Sequence, residues 1–170
     1  MILLALIGTG SAALGQGSSA INPTTERASA MSQDAVMTDL FNRWEKVWNE
    51  GKFDLASGCV ADTYTRHDPK GDREVGRDAY IAEVAAIQKD RPGIQVVVYD
   101  HSFSGTRAWF RFAFKWTDAK TGEPHTQAGT QVYRVADGKL AETWICFLPA
   151  GTVWTDVSAQ DHWTSPPPIR

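Results

Sequence analysis

The sequence predicts an α+β fold in which helices come first and long antiparallel strands follow. Two observations carry this prediction. In the first half of the chain apolar side chains recur at helical spacing, as in the run from Val36 to Trp48. In the second half they alternate with polar ones, as in the run from Arg107 to Trp116. Helices followed by a meander of strands indicate one curved antiparallel sheet folded around the helices.

Cap and turn residues place the individual elements. Ser32 caps the first predicted helix, and Gly51 ends it, because glycine is favoured just beyond a helix C-terminus. The Asp-Gly pair within residues 136–138 predicts a tight hairpin turn. The predicted elements are helices at 32–50, 54–59 and 76–91, a polar loop at 70–74, and strands at 63–67, 94–104, 107–116, 125–135 and 139–147.

The first thirty residues differ from the rest of the chain. Residues 1–25 carry no charged side chain, and residues 2–7 form an apolar run followed by small residues. This pattern is typical of a secretory signal, with Ala28-Ser29-Ala30 as the cleavage site, although no basic residue precedes the apolar run. The alternative is an extension ahead of a natural start at Met31.

We therefore divide the chain into an extension at 1–30, a folded domain at 31–148 and a tail at 149–170. The protein is exported or periplasmic if the extension is a signal, and cytoplasmic otherwise.

Composition excludes several classes of function. The chain is 42% hydrophobic and 22% charged, as in a globular domain, and its net charge of -3 gives no basic footprint for nucleic acid. No run of about 18 apolar residues is present, so no membrane span is predicted. The histidines lack metal-ligand spacing, and Cys59 and Cys146 are too few for a thiolate site. We expect two buried thiols, no metal and no cofactor.

Several short motifs, each weak alone, occur in an order that is typical of one superfamily. They are Trp48-Asn49-Glu50-Gly51-Lys52-Phe53-Asp54, His67-Asp68-Pro69, Gly76-Arg77-Asp78-Ala79-Tyr80, Tyr133-Arg134-Val135, Asp137-Gly138-Lys139-Leu140, and Glu142 with Trp144. From residue 31 to 147 the chain resembles the SnoaL-like branch of the nuclear transport factor 2-like superfamily. The resemblance implies a cone, in which a strongly curved, mixed and mostly antiparallel sheet encloses an apolar pocket closed by three N-terminal helices.

The resemblance also implies which side chains line the pocket. If the turn at 136–138 has three residues and a bulge at Gly138, the odd-numbered positions of the last two strands face inward. An Arg-x-Asp motif of the family reads Arg111-Phe112-Ala113 here, so the arginine is present and the acid is absent. The predicted pocket residues are Tyr64, Trp109, Arg111, Gln127, Gln131, Tyr133, Thr143 and Ile145, with His67 as the candidate catalytic base.

Two of these positions, and the neighbouring Glu142, have alternatives. His67 also fits a structural role, bonded to the 70–74 loop, and Arg111 also fits an ion pair at the mouth of the cone. Glu142 is expected on the outer face, paired with Arg134. A two-residue turn would exchange the two faces and bring Glu142 into the pocket beside Tyr133.

Three functions fit these features. The first is a cofactor-independent lyase or isomerase, of the cyclase, isomerase or dehydratase type, acting on a small apolar carbonyl compound with His67 as base. The second is a non-catalytic protein that binds a small molecule, and the third is an interaction module with a vestigial pocket. Retention of His67 and Arg111 favours the first, whereas absence of the family's acids favours the second.

Alternation on the strand at 107–116 conflicts with the resemblance. Alternation places Phe110, Phe112 and Phe114 in the core, whereas the resemblance places the Arg111 face inside the cone. Both hold only if another surface covers the phenylalanines, because such an apolar patch is usually an interface. We therefore expect the tail to cover part of the stripe and a second copy to cover the rest, giving a homodimer.

Overall fold

The computed structural model describes residues 23–166, and their side chains from residue 33 onward. This part of the chain contains the helices α1 Pro23–Glu50, α2 Ala56–Cys59 and α3 Arg77–Asp90, and the strands β1 Val60–Asp68, β2 Gly71–Gly76, β3 Gln95–Ser104, β4 Arg107–Thr117, β5 Pro124–Ala136 and β6 Lys139–Phe147. None of its helices is both long enough and apolar enough to cross a membrane.

All six strands belong to one sheet, in the order β2-β1-β6-β5-β4-β3. Neighbouring strands are antiparallel, except that β1 runs parallel to β6. Helix α1 contacts β3 and helix α3 contacts β1, so helices cover the inner face of the sheet. The predicted α+β fold with a mixed, mostly antiparallel sheet is confirmed.

Helix α1 begins earlier than predicted. Its first residue is Pro23, well ahead of Ser32, and proline is favoured in the first turn of a helix because its missing N–H is not needed there. Residues 23–30 of the predicted extension are therefore helical. The signal-like run at 2–7 lies outside the described residues, so its interpretation stays a prediction.

The predicted loop at 70–74 is part of strand β2. This strand pairs antiparallel with β1, from Asp68 opposite Gly71 to Thr63 opposite Gly76. β2 is an edge strand and its residues are exposed or half-buried, so it carries polar side chains on both faces. Without alternating hydrophobicity the strand gives no period-two signal.

The inner face of β4 carries the phenylalanine stripe. Phe110 and Phe112 are each 2% exposed, and the Phe110 ring lies 4.7 Å from the ring of Phe41 in α1. Alternation therefore predicts this strand correctly, and the expectation that the Arg111 face lies inside is wrong. Because α1 of the same chain covers the stripe, the argument for a homodimer from an exposed stripe is lost. Association of two copies stays a prediction.

The β5–β6 hairpin combines a two-residue turn with a bulge. The turn residues Asp137 and Gly138 have φ of 51° and 71°, as a tight hairpin turn requires, where a three-residue turn was predicted. The pairing then slips at the bulge, and Arg134 lies opposite Glu142. Because the bulge restores the alternation that the shorter turn removes, Glu142 stays on the outer face.

Candidate ligand-binding cavity

A cavity of about 250 Å³ lies between the inner face of the sheet and helices α1 and α3. This volume is slightly below the ~300–1,000 Å³ of pockets for drug-sized ligands, so a fitting ligand is small. The aromatic part of its wall includes Trp48, Phe112, Phe114, Tyr133, Phe147 and Trp163. The polar part includes Arg66, Asp68, Lys70, Glu83, Gln127 and Gln131.

Arg66 places a buried cation in this wall. Its guanidinium carbon lies 4.3 Å from the ring centre of Tyr80 and 5.8 Å from that of Tyr64, and its Nε donates to Asp68 Oδ2 at 2.8 Å. Its Nη1 is buried and has no hydrogen-bond partner among the described residues. A buried donor without a partner costs about 1–3 kcal/mol. A ligand oxygen that reached Nη1 would remove that cost, and it would require a small shift of the side chain, because the atom has almost no accessible surface in this arrangement.

Asp68 is a buried carboxylate that accepts hydrogen bonds from donors within residues 66–73. It accepts hydrogen bonds from Arg66, from Arg73 Nη2 at 3.2 Å and from the backbone N–H of Lys70 at 2.9 Å. Burial raises the pKa of Asp68, but the Lys70 hydrogen bond and the two arginines outweigh it, and the pKa lies below its ordinary value. Asp68 is therefore ionised at neutral pH and is a weak proton acceptor.

Ion pairs connect the β1–β2 hairpin to α3 beside the cavity. Arg73 donates through Nη1 and Nη2 to the two carboxylate oxygens of Glu83, at 2.9 Å each, and Lys70 Nζ lies 3.4 Å from Glu83 Oε2. Burial raises the pKa of Glu83, but pairing with Arg73 and Lys70 lowers it by more than burial raises it. The pKa of Glu83 therefore lies below its ordinary value. A bidentate pair of this kind fixes the orientation of both side chains. It therefore fixes the position of the β1–β2 hairpin relative to α3.

Two amides lie on the opposite wall, on β5. Gln131 Nε2 donates to Thr143 Oγ1 at 2.9 Å, and the Thr143 hydroxyl donates to the carbonyl oxygen of Val132 at 3.0 Å. Gln127 Nε2 donates to the carbonyl oxygen of Leu148 at 3.3 Å. The structure thus places Gln127 and Gln131 on the cavity wall, together with the predicted Tyr133 and Ile145.

A known protein family matches the part of the chain that forms most of the sheet. The family model for the SnoaL-like domain matches residues 41–143, which span α3, strands β1 to β5 and the first half of β6. The chain belongs to the SnoaL-like domain family. No curated protein matches its sequence.

Solved structures share the fold of this SnoaL-like domain. A SnoaL-like polyketide cyclase from Agrobacterium tumefaciens is 17% identical with a TM-score of 0.58, over 65% of this chain and 90% of that one. An NTF2-like protein from Anabaena variabilis is 15% identical with a TM-score of 0.58, over 69% and 90%. TsrD from Streptomyces laurentii is 18% identical with a TM-score of 0.58, over 66% and 88%. These structures share the NTF2-like α+β cone.

His67 lies on the outer face of the SnoaL-like domain. Its Nδ1 is 2.8 Å from Asp72 Oδ1, its Nε2 is 3.0 Å from Glu142 Oε1, and its ring stacks on Trp144 at 4.9 Å. Hydrogen bonding to Glu142, and then to Asp72, raises the pKa of His67. The prediction that His67 faces the pocket is wrong, because strand side chains alternate and its neighbour Arg66 takes the inner face.

Arg111 and Trp109 also lie on the outer face. Arg111 donates to Asp156 at 2.9 Å and to Asp100 at 3.3 Å, and its guanidinium carbon lies 5.0 Å from the ring centre of Trp154. Trp109 shares this face because it stands two positions before Arg111. Their predicted places in the pocket are wrong, since the phenylalanine stripe of β4 takes the inner face.

Tyr64 and Thr143 are inside the domain but behind the wall. Both are fully buried, and neither is among the residues that line the cavity. The Tyr64 ring packs 4.9 Å from the Tyr80 ring, and burial raises the pKa of Tyr64 well above its ordinary value. These two predicted pocket residues therefore support the wall and do not face a ligand in this arrangement.

The two cysteines differ in environment. Cys59 is buried as predicted, and burial raises the pKa of its thiol. Cys146 is exposed, so the prediction of two buried thiols is wrong for it, because it stands on the outer face of β6 opposite Thr130. Between residues 33 and 166 no cluster of three or more His, Cys, Asp or Glu side chains could hold a metal ion.

Sequence analysis missed Arg66, Asp68 and Trp163. For the first two a signal existed, because an inward Tyr64 and a period of two place residues 66 and 68 on the same face. Trp163 comes from the tail, where the sequence has no periodicity that could place it.

Proposed function

We propose that this SnoaL-like domain binds a small, flat and largely apolar molecule that carries a carboxylate or carbonyl oxygen, with that oxygen on Arg66. The single observation that carries the proposal is the unpartnered, buried Nη1 of Arg66, whose side chain belongs to the wall of a partly aromatic cavity. A charge-assisted hydrogen bond in a site shielded from water is roughly twice as strong as a neutral one.

The remaining wall agrees with such a ligand. Aromatic rings pack well against a flat hydrocarbon. The rings of Phe112, Phe114 and Phe147 pack against one another, with pairwise centroid distances of 5.3 to 6.0 Å. The similar protein from Agrobacterium tumefaciens is a polyketide cyclase, and a polyketide is a carbon chain that bears carbonyl groups. That chemistry is compatible with an arginine in a small aromatic cavity.

A second candidate is a cofactor-independent isomerase or lyase. One observation favours it: the carboxylate of Asp68 lies on the same cavity wall as Arg66, so a carbonyl compound held by Arg66 would lie beside a potential base. The lowered pKa of Asp68 argues against strong basicity. Ligand binding without reaction is therefore the better supported function, and His67 takes no part in either candidate.

The binding function is tested with 2-naphthoate, 2-acetylnaphthalene and naphthalene, which share one ring system and differ in the oxygen group. Binding is followed by quenching of tryptophan fluorescence, because Trp48 and Trp163 line the cavity. We expect 2-naphthoate to bind most tightly, and Arg66→Met to weaken it by about 10- to 100-fold while naphthalene is little affected.

The matched control is Arg134→Met, because Arg134 is half-exposed on the outer face and pairs with Glu142. It should leave all three affinities unchanged. Equal loss of 2-naphthoate binding in both variants, or no loss in Arg66→Met, would overturn the proposal. Exchange of the methyl protons of 2-acetylnaphthalene in heavy water, faster with the wild type than with Asp68→Asn, would favour the isomerase instead.

A further inference from the structure

The described part of the C-terminal tail, residues 149–166, passes around the free edge of the sheet. Trp154 lies on the outer face, where its Nε1 donates to the carbonyl oxygen of Phe112 at 3.0 Å. The N–H of Gln160 then donates to the carbonyl oxygen of Val98 at 2.8 Å, on the edge strand β3. Beyond this point the tail reaches the inner side of the sheet.

The tail inserts Trp163 on the inner side of the sheet. This residue is 4% exposed, and its ring centre lies 6.1 Å from that of Phe110. Its Nε1 donates to the carbonyl oxygen of Val96 at 2.9 Å, and its backbone N–H donates to Glu45 Oε2 of α1 at 3.2 Å. Contacts with both α1 and β3 therefore fix the indole ring between them.

The indole borders both the cavity and a smaller void beside it. A second void of about 10 Å³ shares Val96, Phe112, Gln131 and Tyr133 with the cavity wall, and Trp163 lines both spaces. A void of that size holds at most about one water molecule. The indole therefore forms part of the cavity wall beside this void, and a shorter side chain at this position would enlarge the space on that side.

We propose that Trp163 limits the length of the ligand, so that the cavity takes an aryl carboxylate with two fused rings and excludes one with three. This inference rests on the proposed binding function and names the size class of its ligand. The limit is set by a residue outside the segment that matches the SnoaL-like family. The tail thus acts as the specificity-determining element of the site.

The test compares 2-naphthoate with anthracene-2-carboxylate, which extends the same molecule by one ring. We expect the wild type to bind the longer acid at least about tenfold more weakly than the shorter one, as a tight apolar pocket discriminates by size. Trp163→Leu should bind anthracene-2-carboxylate about tenfold or more tightly than the wild type does, while 2-naphthoate changes by about threefold or less.

The matched control is Trp154→Leu, because both tryptophans belong to the tail and both donate Nε1 to a backbone carbonyl. It should bind both acids as the wild type does. In Trp163→Leu the Val96 carbonyl keeps a second donor, Asn49 Nδ2 at 3.2 Å, which favours folding of the variant. If that variant nevertheless fails to fold, Trp163→Phe is expected to give a smaller gain in the same direction.

The possible failures are distinguishable. A wild type that binds neither acid overturns the proposed function and this inference with it. A wild type that binds both acids equally, or a folded Trp163 variant that keeps 2-naphthoate and still excludes the longer acid, overturns the length limit alone. A gain in Trp154→Leu equal to that in Trp163→Leu also overturns it, because loosening of the tail would then explain the result.

Discussion

Arg66 and His67 are consecutive residues of β1, and their side chains lie on opposite faces of the sheet. Arg66 lines the cavity beside the ring of Tyr80, whereas His67 stacks on Trp144 outside it. The imidazole is therefore separated from any cavity ligand by the sheet itself. We expect changes at Arg66 to alter ligand affinity and changes at His67 to alter only stability.

For His67 the expected effect depends on pH. Glu142 and Asp72 raise its pKa above the ordinary 6.5, so the protonated ring is stabilised in the folded state. This contribution is fully present below about pH 6.5 and is lost as the pH rises through the folded pKa. Thermal midpoints should show His67→Gln less stable than the wild type in acid, with a smaller difference at alkaline pH. The affinity for 2-naphthoate should not change.

Glu142→Gln provides the control, because Glu142 is the largest cause of the shift. In that background the pH dependence of the His67→Gln effect should become shallower. If the thermal midpoints of the wild type and His67→Gln differ by the same amount at every pH, folding does not raise the proton affinity of His67.

Replacing Asp68 by Asn should destabilise the protein by about 3 kcal/mol at neutral pH, because it leaves the guanidinium of Arg66 buried without its carboxylate. The pKa of Asp68 is lowered, so its contribution is present above the ordinary value of 3.8 and is lost as the pH falls through the folded pKa. Urea unfolding measured towards low pH should therefore bring the wild type and the variant together. Asp72→Asn, at a carboxylate that is 82% exposed, should cost only about 0–1 kcal/mol.

Phe112→Glu tests the assignment of the faces of β4. Because Phe112 is 2% exposed, the variant buries an unpaired charge, which costs a large part of the ~5–15 kcal/mol that stabilises a domain. We expect loss of the cooperative thermal transition. Trp109→Glu, on the outer face of the same strand, should keep it. If Phe112→Glu instead stays folded and converts a dimer into monomers in light scattering, the phenylalanine stripe is an interface after all.

Gly129 is the position in β5 where a side chain has no room. A Cβ there would lie 2.8 Å from the carbonyl oxygen of Cys146 and 2.9 Å from the Phe112 ring. Gly129→Ala should therefore destabilise the protein by about 1–3 kcal/mol and weaken 2-naphthoate binding, because the Phe112 ring of the wall must move. Gly76→Ala, whose Cβ would meet only a carbonyl oxygen at 4.0 Å, should change stability by about 1 kcal/mol or less.

The fold could be predicted because its signals are local. Helical spacing in α1 and alternation in β4 lie within single elements, and the stripe from Phe110 to Phe114 lies where alternation places it. The family resemblance places Arg111 on the inner face, whereas alternation places it on the outer face, where it lies. Where the two conflicted, the burial of three phenylalanines decided the result, since burial of apolar side chains is the larger energy.

The site could be predicted only in part, because it depends on pairing between strands. The hairpin turn was predicted one residue too long and the bulge at Ala141 was not predicted, and these two errors cancel at Glu142. On β1 no second error compensates for the wrong choice of face. His67 is therefore predicted on the inner face, which Arg66 and Asp68 occupy. Trp163 reaches the cavity through contacts with Glu45, far away in sequence, and no local pattern encodes such a contact.

The position of Trp163 in the chain has a consequence for biosynthesis. Its backbone N–H donates to Glu45, which stands 118 residues earlier, so the tail and α1 meet beside the cavity. All six strands are encoded by residue 147, whereas Trp163 is translated later. A chain that ends after β6 would therefore lack Trp163 in the cavity wall and the Gln160 hydrogen bond to the β3 edge. A premature stop codon after residue 147 would produce such a chain.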